Sequence, residues 1–285
     1  MQKTDLVLAK DNVKFSVEEY ETLKGGNATS VAQRIYYAQE VGMKLKQVKA
    51  SMTDGSIIVE SGALHFFKGN IEVTNPTGGV GGLFKKLATS ALSGEKAFNP
   101  IYKGTGEIYL EPSFGHFLLV EMNNETLICD KGMFYAATGG IEVSVAMQKN
   151  LSSAFMGGEG LFQTKLMGTG VAVLASPVPD SEIKKYTLNG DTLKVDGNFA
   201  LLRKGDIDFT VEKSAKGLFG SLTSGEGLLQ TFRGKGEVWI APTQGVYEKI
   251  QEGGLSHLST AQASSGTVTK NKNTLFGSIF SAFRD

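Results

Sequence analysis

Three similar stretches decide the fold of this chain: VESGALHFFKGNIEV at residues 59–73, CDKGMFYAATGGIEV at residues 129–143 and VDGNFALLRKGDIDF at residues 195–209. They align without gaps. Each has an apolar residue, an acid, a nearby glycine, an apolar stretch, a second glycine, and then isoleucine, an acid and an apolar residue. The two-residue alternation and the glycines predict strand, turn, strand, turn, strand. We interpret the stretches as copies of one β unit of about 65 residues.

A second set of matches follows the first. It reads GTGEIYLEP at residues 104–112, GTGVAVLAS at residues 168–176 and GKGEVWIAP at residues 234–242. We expect each Gly-x-Gly to precede a strand. Shorter matches, SGEK, GGEG and SGEG, lie just upstream of each one. Ordered matches of this kind predict an all-β protein of three tandem β-sandwich-like modules.

The module boundaries follow from the matches. The β domain spans residues 45–250, with modules at about 45–112, 113–176 and 177–250. Residues 1–44 form an N-terminal segment, and residues 251–285 form a linker followed by a C-terminal helix.

Two helices are predicted outside the modules. Ser30-Val-Ala-Gln33 has the spacing of a capping box, and Gly42 is a natural stop, so we expect a helix over residues 30–41. Residues 274–285 are predicted to form an amphipathic helix. Its apolar face consists of Leu275, Phe276, Ile279, Phe280 and Phe283.

Composition bounds the function. Lys plus Arg and Asp plus Glu both number 29, so the net charge is zero, which argues against a nucleic-acid partner. Cys129 is the single cysteine, so no intrachain disulfide forms and a reducing compartment is expected. The N-terminal residues show neither a signal core nor a typical transit peptide. We therefore expect a cytoplasmic protein.

The third copy carries a resemblance to a known family. The stretch SGEGLLQTFRGKGEVWIAP at residues 224–242 resembles the signature of the family named for altered inheritance of mitochondria (member twenty-four), a mitochondrial-biogenesis family with many bacterial members. Residues 157–176 fit more loosely, and the resemblance covers about residues 45–245. It implies three modules like those of the tryptophan RNA-binding attenuation protein, arranged about a pseudo-threefold axis. It implies no enzymatic activity, and mitochondrial members are associated with organisation of the inner membrane.

The residues that commonly carry catalysis form no constellation here. His65, His116 and His257 are isolated, which argues against a metal site. Cys129 stands where the other copies have valine, so it is interpreted as a small buried hydrophobe. No Gly-x-Ser-x-Gly elbow occurs. No cofactor or metal is predicted, and a non-enzymatic protein is favoured over an enzyme.

One set of carboxylates could bind a ligand. Glu95, Glu159 and Glu226 occupy equivalent positions in the three copies, and a pseudo-threefold axis would place them at symmetry-related sites. They could hold a cation or a polar ligand at the centre. The alternative is that each carboxylate accepts backbone N–H groups in its own glycine-rich turn.

Three functions follow from these observations. The first is a non-enzymatic structural or interaction module that forms a homo-oligomer or scaffolds a protein partner through the apolar C-terminal helix, with peripheral membrane contact as a variant. The second is a small-molecule or cation-binding protein that uses the pseudo-threefold centre. The third is an RNA-binding β module, which the neutral charge disfavours.

Overall fold

The computed structural model describes residues 2–74, 99–148, 161–196, 199–213 and 228–253. These residues form twelve strands and two α-helices, and the strand pairings are antiparallel. The expectation of an all-β protein is therefore confirmed as a mostly β fold. The predicted C-terminal helix lies outside the described residues. The strands are β1 Gln2–Lys10, β2 Val13–Tyr20, β3 Leu45–Val59, β4 Leu64–Thr74, β5 Ile101–Leu110, β6 His116–Cys129, β7 Phe134–Thr138, β8 Ile141–Gln148, β9 Leu161–Ser176, β10 Lys184–Asp196, β11 Ala200–Lys213 and β12 Leu228–Ile240; the helices are α1 Thr29–Glu40 and α2 Gln244–Gly253.

The chain divides into two compact units. The first comprises Met1–Asn124, Met133–Val143 and Met167–Ser176, and the second comprises Glu125–Gly132, Ser144–Leu166 and Pro177–Asp285. In the first unit β2 pairs with β1 and β3, and β3 pairs with both β5 and β7. In the second unit β11 pairs with β6 and β12, and β12 pairs with β10.

Each unit has an apolar core built from alternating strand residues. Large side chains such as Phe15, Ile57 and Ile108 are fully buried in the first unit. Phe209 and Phe232 pack against each other in the second, with ring centroids 5.1 Å apart. The alternation of buried and exposed residues along β3 is the two-residue period of a strand with one face in the core.

Strand pairing follows one plan in each of the three repeated segments. In each segment the last long strand pairs with the strands before it: β5 with β3 and β4, β9 with β6 and with both β7 and β8, and β12 with β10 and β11. One backbone hydrogen bond also recurs at the same repeat position. It joins the N–H of Glu111 to the carbonyl of Ala63, that of Ala175 to Met133, and that of Ala241 to Phe199, at 2.8, 2.7 and 2.8 Å.

A residue with a left-handed backbone recurs five positions before each of the three 15-residue stretches begins. Asp54, Asn124 and Gly190 have φ of 52°, 52° and 89°. The first two use their backbone N–H in the same way, donating to the hydroxyls of Thr105 and Thr169 at 2.9 Å. Asp and Asn tolerate this conformation better than most other residues.

The glycines of Gly-x-Gly lie inside strands, which corrects the prediction that they precede them. β5 begins at Ile101, three residues before Gly104, because its pairing with β4 continues through the glycines. The second glycine of the 15-residue stretch also behaves differently between copies. Gly69 and Gly205 lie within unbroken strands, whereas Gly139 lies in the turn that separates β7 from β8.

The N-terminal helix is confirmed, but its capping box is wrong. The helix runs over Thr29–Glu40 and its N-cap is Ala28, with extended dihedrals and no side-chain cap. Ser30 lies within the first turn, so it cannot adopt the non-helical backbone that a capping residue needs. Gly42 does follow the helix, with φ of 75°.

Candidate interaction surface

The edge of β4 carries two exposed aromatic side chains. Phe66 is 47% exposed and Phe67 is 41% exposed. Within the described part of the chain β5 is the only strand that pairs with β4. One side of β4 therefore offers backbone groups that no described strand uses, beside two large aromatic side chains.

A fixed aromatic cluster supports this edge. Phe66 stacks on Tyr109 of β5, with ring centroids 4.5 Å apart and planes 16° apart. The Tyr109 hydroxyl donates to Glu107 at 3.2 Å, and Lys49 Nζ lies 2.5 Å from the same carboxylate. The hydrogen bond between Lys49 and Glu107 lowers the pKa of the Glu107 carboxyl and raises the pKa of the Lys49 ammonium. Both groups keep their charge at neutral pH and hold the aromatic rings in place.

A hydrogen-bonded chain connects the same edge to the core of the first unit. Gln47 is buried, and its Nε2 lies 3.0 Å from Nδ1 of His65 and donates to the carbonyl of Leu110 at 2.9 Å. The Tyr20 hydroxyl donates to Gln47 Oε1 at 2.9 Å. The amide is satisfied on both atoms, so it orders the start of β4.

The residues equivalent to Phe66 and Phe67 are buried in the other two segments. Ala136 and Ala137 are 0% exposed, and Leu202 and Arg203 are 3% and 4% exposed. The difference has a visible cause. β7 and β11 each have a second neighbouring strand on the side that β4 leaves open.

These second neighbours attach in the same register. Val59 of β3 lies opposite Ala136 of β7, and Cys129 of β6 lies opposite Leu202 of β11. The residues that follow Val59 and Cys129 donate their backbone N–H groups in the same way. Glu60 donates to the carbonyl of Tyr135 at 2.9 Å, and Asp130 donates to that of Leu201 at 3.1 Å. The end of the first strand of one segment (β3 or β6) thus pairs with the start of the second strand of the next segment (β7 or β11).

β10 is the remaining first strand. β12 is its only partner among the described strands. Its residues at the equivalent positions are Leu193, Lys194 and Val195. Leu193 is half-buried and Val195 is 8% exposed, whereas Ile57, Val59, Leu127 and Cys129 are all fully buried.

A second aromatic cluster lies beside β10. Lys185 Nζ is 4.1 Å from the ring centroid of Trp239, and the indole N–H donates to Glu237 at 2.9 Å. These residues occupy the repeat positions of Lys49, Tyr109 and Glu107. In the middle segment the same positions hold apolar residues, Leu119, Val173 and Val171. The outer segments thus carry a charged aromatic cluster where the middle segment carries core.

A buried polar cluster lies in the second unit. Arg203 donates to Gln163 Oε1 at 2.9 Å, and Gln163 Nε2 donates to Asp130 Oδ1 at 3.1 Å. Burial raises the pKa of Asp130 to about 6, against the opposing effects of the Gln163 hydrogen bond and the Arg203 charge. Burial lowers the pKa of Arg203 to about 10. The guanidinium also lies over the ring of Phe209, 5.0 Å from its centroid.

The two sets of predicted site residues lie outside the described residues. They are Glu95, Glu159 and Glu226, and Leu275, Phe276, Ile279, Phe280 and Phe283. Both sets therefore stay predictions. Cys129 is buried, with its sulfur 3.8 Å from the carbonyl of Thr164, as expected of a small hydrophobe. Across the described ranges no three His, Cys, Asp or Glu side chains group as metal ligands.

Residue-by-residue reasoning missed the surface around β4. Comparison between the copies carries the signal, because Phe66-Phe67 stands where the next copy has Ala136-Ala137. Lys49 and Lys185 also lie at the same distance before the first residues of their 15-residue stretches. Phenylalanines inside a strand are ordinary core residues by pattern alone, so the signal appears only when the copies are compared.

Comparison with known proteins places the chain. The family model described as mitochondrial biogenesis AIM24 matches residues 38–243. The chain belongs to the AIM24 family. The AIM24 match agrees with the resemblance of residues 224–242 and with its extent.

Two streptococcal proteins are similar to this AIM24 chain. A protein of Streptococcus pyogenes serotype M6, named as uncharacterised, is 26% identical over 219 residues, which cover 74% of this chain and 86% of the relative. A crystal structure of another Streptococcus pyogenes protein matches with a TM-score of 0.52 and 24% identity, over 74% of this chain and 94% of that one. The second similarity concerns the fold alone.

Within the described ranges, neither α1 nor α2 has the length and apolar character that a membrane-spanning helix requires.

Proposed function

We propose that this AIM24 chain is a non-enzymatic interaction module that associates with further copies of itself through the exposed edge of β4. The three repeated segments act as three modules of one repeat, and their shared strand-pairing scheme makes them suited to add further segments side by side. Scaffolding of other proteins would follow from such an assembly.

One observation carries the proposal. Phe66 and Phe67 are about half exposed, while their equivalents in the other two segments are buried beneath a neighbouring strand. Full burial of a large aromatic side chain contributes about 1.5–3 kcal/mol, and roughly half of that remains to be gained at each of these residues, so a strand that covered them would be stabilised. A strand edge with exposed aromatic residues and a single described neighbour is expected to serve in association.

The backbone of β4 favours strand addition over a side-chain groove. An extended segment that pairs with an exposed sheet edge gains main-chain hydrogen bonds, and alternate side chains give specificity. The stacking of Phe66 on Tyr109 and the ion pair below it hold the edge in one geometry before the partner arrives. Such preorganisation lowers the entropic cost of association.

Light scattering tests the proposal. We expect the purified chain to be an oligomer whose mass rises with concentration, and Phe66→Glu to lower that mass. The matched control is Tyr36→Glu, which changes an exposed aromatic residue on α1 and should leave the mass unchanged. A wild-type chain that stays monomeric at every concentration would refute self-association.

A further inference from the structure

We propose, resting on the function above, that the partner of β4 is β10 of a second copy of this chain, joined head to tail in the register that the chain already uses twice. The proposal needs no new type of contact. It repeats between two molecules the pairing of β3 with β7 and of β6 with β11.

The register follows from the two observed pairings. Val59 lies opposite Ala136, and Cys129 lies opposite Leu202. In each case the partner is seven positions after the first residue of the next 15-residue stretch. The same rule places Val195 of one molecule opposite Phe66 of the next. It also places the Asp196 N–H against the carbonyl of His65, as Asp130 donates to Leu201.

The side chains at these positions suit the pairing. Leu193 and Val195 would meet the β4 edge on the face that Phe66 occupies, where the observed pairings have fully buried residues. Lys194 would lie opposite Phe67. Arg203 lies opposite Ile128 in the observed pairing, so this position already combines a cationic with an apolar residue.

The symmetry of the contact has a consequence for the assembly. β4 and β10 are different surfaces, so the contact is heterologous and uses a different strand edge on each molecule. Heterologous contacts build closed rings when the rotation closes and filaments when it does not. Pairing of β4 with β4 would instead give a simple two-fold dimer.

Engineered disulfides test the register. Glu60 and Tyr135 form a hydrogen-bonded pair, so the adjacent Val59–Ala136 pair is of the non-hydrogen-bonded kind, with Cα atoms about 4.5 Å apart. A disulfide accepts that separation. Phe66→Cys with Val195→Cys should therefore crosslink between molecules. The background carries Cys129→Val, which installs the residue of the other two copies.

The expected result is a ladder of disulfide-linked species on a non-reducing gel. A mixture of two chains, one with Phe66→Cys and one with Val195→Cys, should give covalent dimers that neither chain gives alone. The control pair, Phe67→Cys with Val195→Cys, should not crosslink because neighbouring residues on a strand point to opposite faces.

Two outcomes would overturn the inference. A disulfide formed within one molecule would show that β10 and β4 join inside a single chain. Absence of crosslinking, in an oligomer that Phe66→Glu still weakens, would show that another surface covers β4; the proposed function would then stand without this partner. Failure of the proposed function gives a different result, because the wild-type chain would then be monomeric in light scattering.

Discussion

At the scale of single residues, three Gly-x-Gly pairs lie in the middle of strands with nearly the same backbone. The first glycine of each pair has φ of 135°, 127° and 132°, and the second has φ of 156°, 156° and 152°. A Cβ on the first glycine would meet a backbone oxygen of the adjacent strand, or for Gly168 of the turn that precedes it, at 2.1, 2.3 and 2.1 Å. Only glycine adopts this positive φ without strain and also lacks the Cβ that would collide, which explains why the motif recurs in every copy.

Gly104→Ala should therefore destabilise the first unit. The added methyl group would collide with the Asn70 carbonyl oxygen, and the left-handed backbone adds strain, so we expect a loss of at least about 2 kcal/mol in the free energy of unfolding. Chemical denaturation measures it. Gly25→Ala is the control, because a Cβ there meets nothing within 4 Å. Equal stability of the two variants would contradict the strain argument.

The buried carboxyl of Asp130 makes stability depend on pH. Its folded pKa of about 6 lies above its ordinary value of 3.8, so the stability it confers is complete below the ordinary value and is lost as the pH rises through 6. Arg203 stays charged over this range because its pKa is about 10. Asp130→Asn removes the titrating group. Relative to wild type, the free energy of unfolding of the variant should rise by about 2.4 kcal/mol between about pH 4 and pH 7.5.

Denaturation at the two pH values measures this difference. The control is Asp196→Asn, which changes the exposed acid at the equivalent position of the third segment and should follow the wild-type profile. Parallel profiles for wild type and Asp130→Asn would show that the carboxyl does not titrate in this range.

At the scale of elements, β3 shows how one strand serves the core and a neighbour at once. Ile57 is fully buried, while Ile58 on the opposite face is half-buried. Both residues pair with β5 on one side and β7 on the other. Side-chain direction, rather than pairing, therefore separates their contributions to stability.

Ile57→Ala should cost about 3 kcal/mol of unfolding free energy, because it leaves a cavity in a packed core. Ile58→Ala is the matched control on the same strand and should cost about half as much, since its side chain already contacts water. Thermal or urea denaturation compares the two. A larger loss for Ile58→Ala would mean that the outer face of β3 packs more tightly than its exposure indicates.

At the scale of the whole molecule, two routes to self-association compete. One uses the predicted apolar face of the C-terminal helix, and the other uses the strand edges β4 and β10. Removing the chain after Ser259 separates them. We expect light scattering to give the truncated chain the same oligomeric state as the full chain, because both strand edges remain. A truncated chain that becomes monomeric would make the C-terminal segment the assembly element.

The sequence by itself determined the β class, the N-terminal helix and the family. Each rests on local chemistry: glycines required by the backbone, two-residue alternation along strands, and a 3.6-residue period in the helix. Even so, Ser30 lies inside its helix, whose first hydrogen bond runs from the Ala32 N–H to the Ala28 carbonyl. Gly104 lies inside its strand because the pairing with β4 continues through it.

Only the tertiary structure decided which equivalent residues are buried. Phe66 and Leu202 occupy the same repeat position, yet one is exposed and the other lies beneath a neighbouring strand. The Asp130–Gln163–Arg203 cluster likewise joins residues far apart in the chain. Burial and pairing across segments are properties of the assembled sheet, and no local pattern of residues encodes which strand lacks its neighbour.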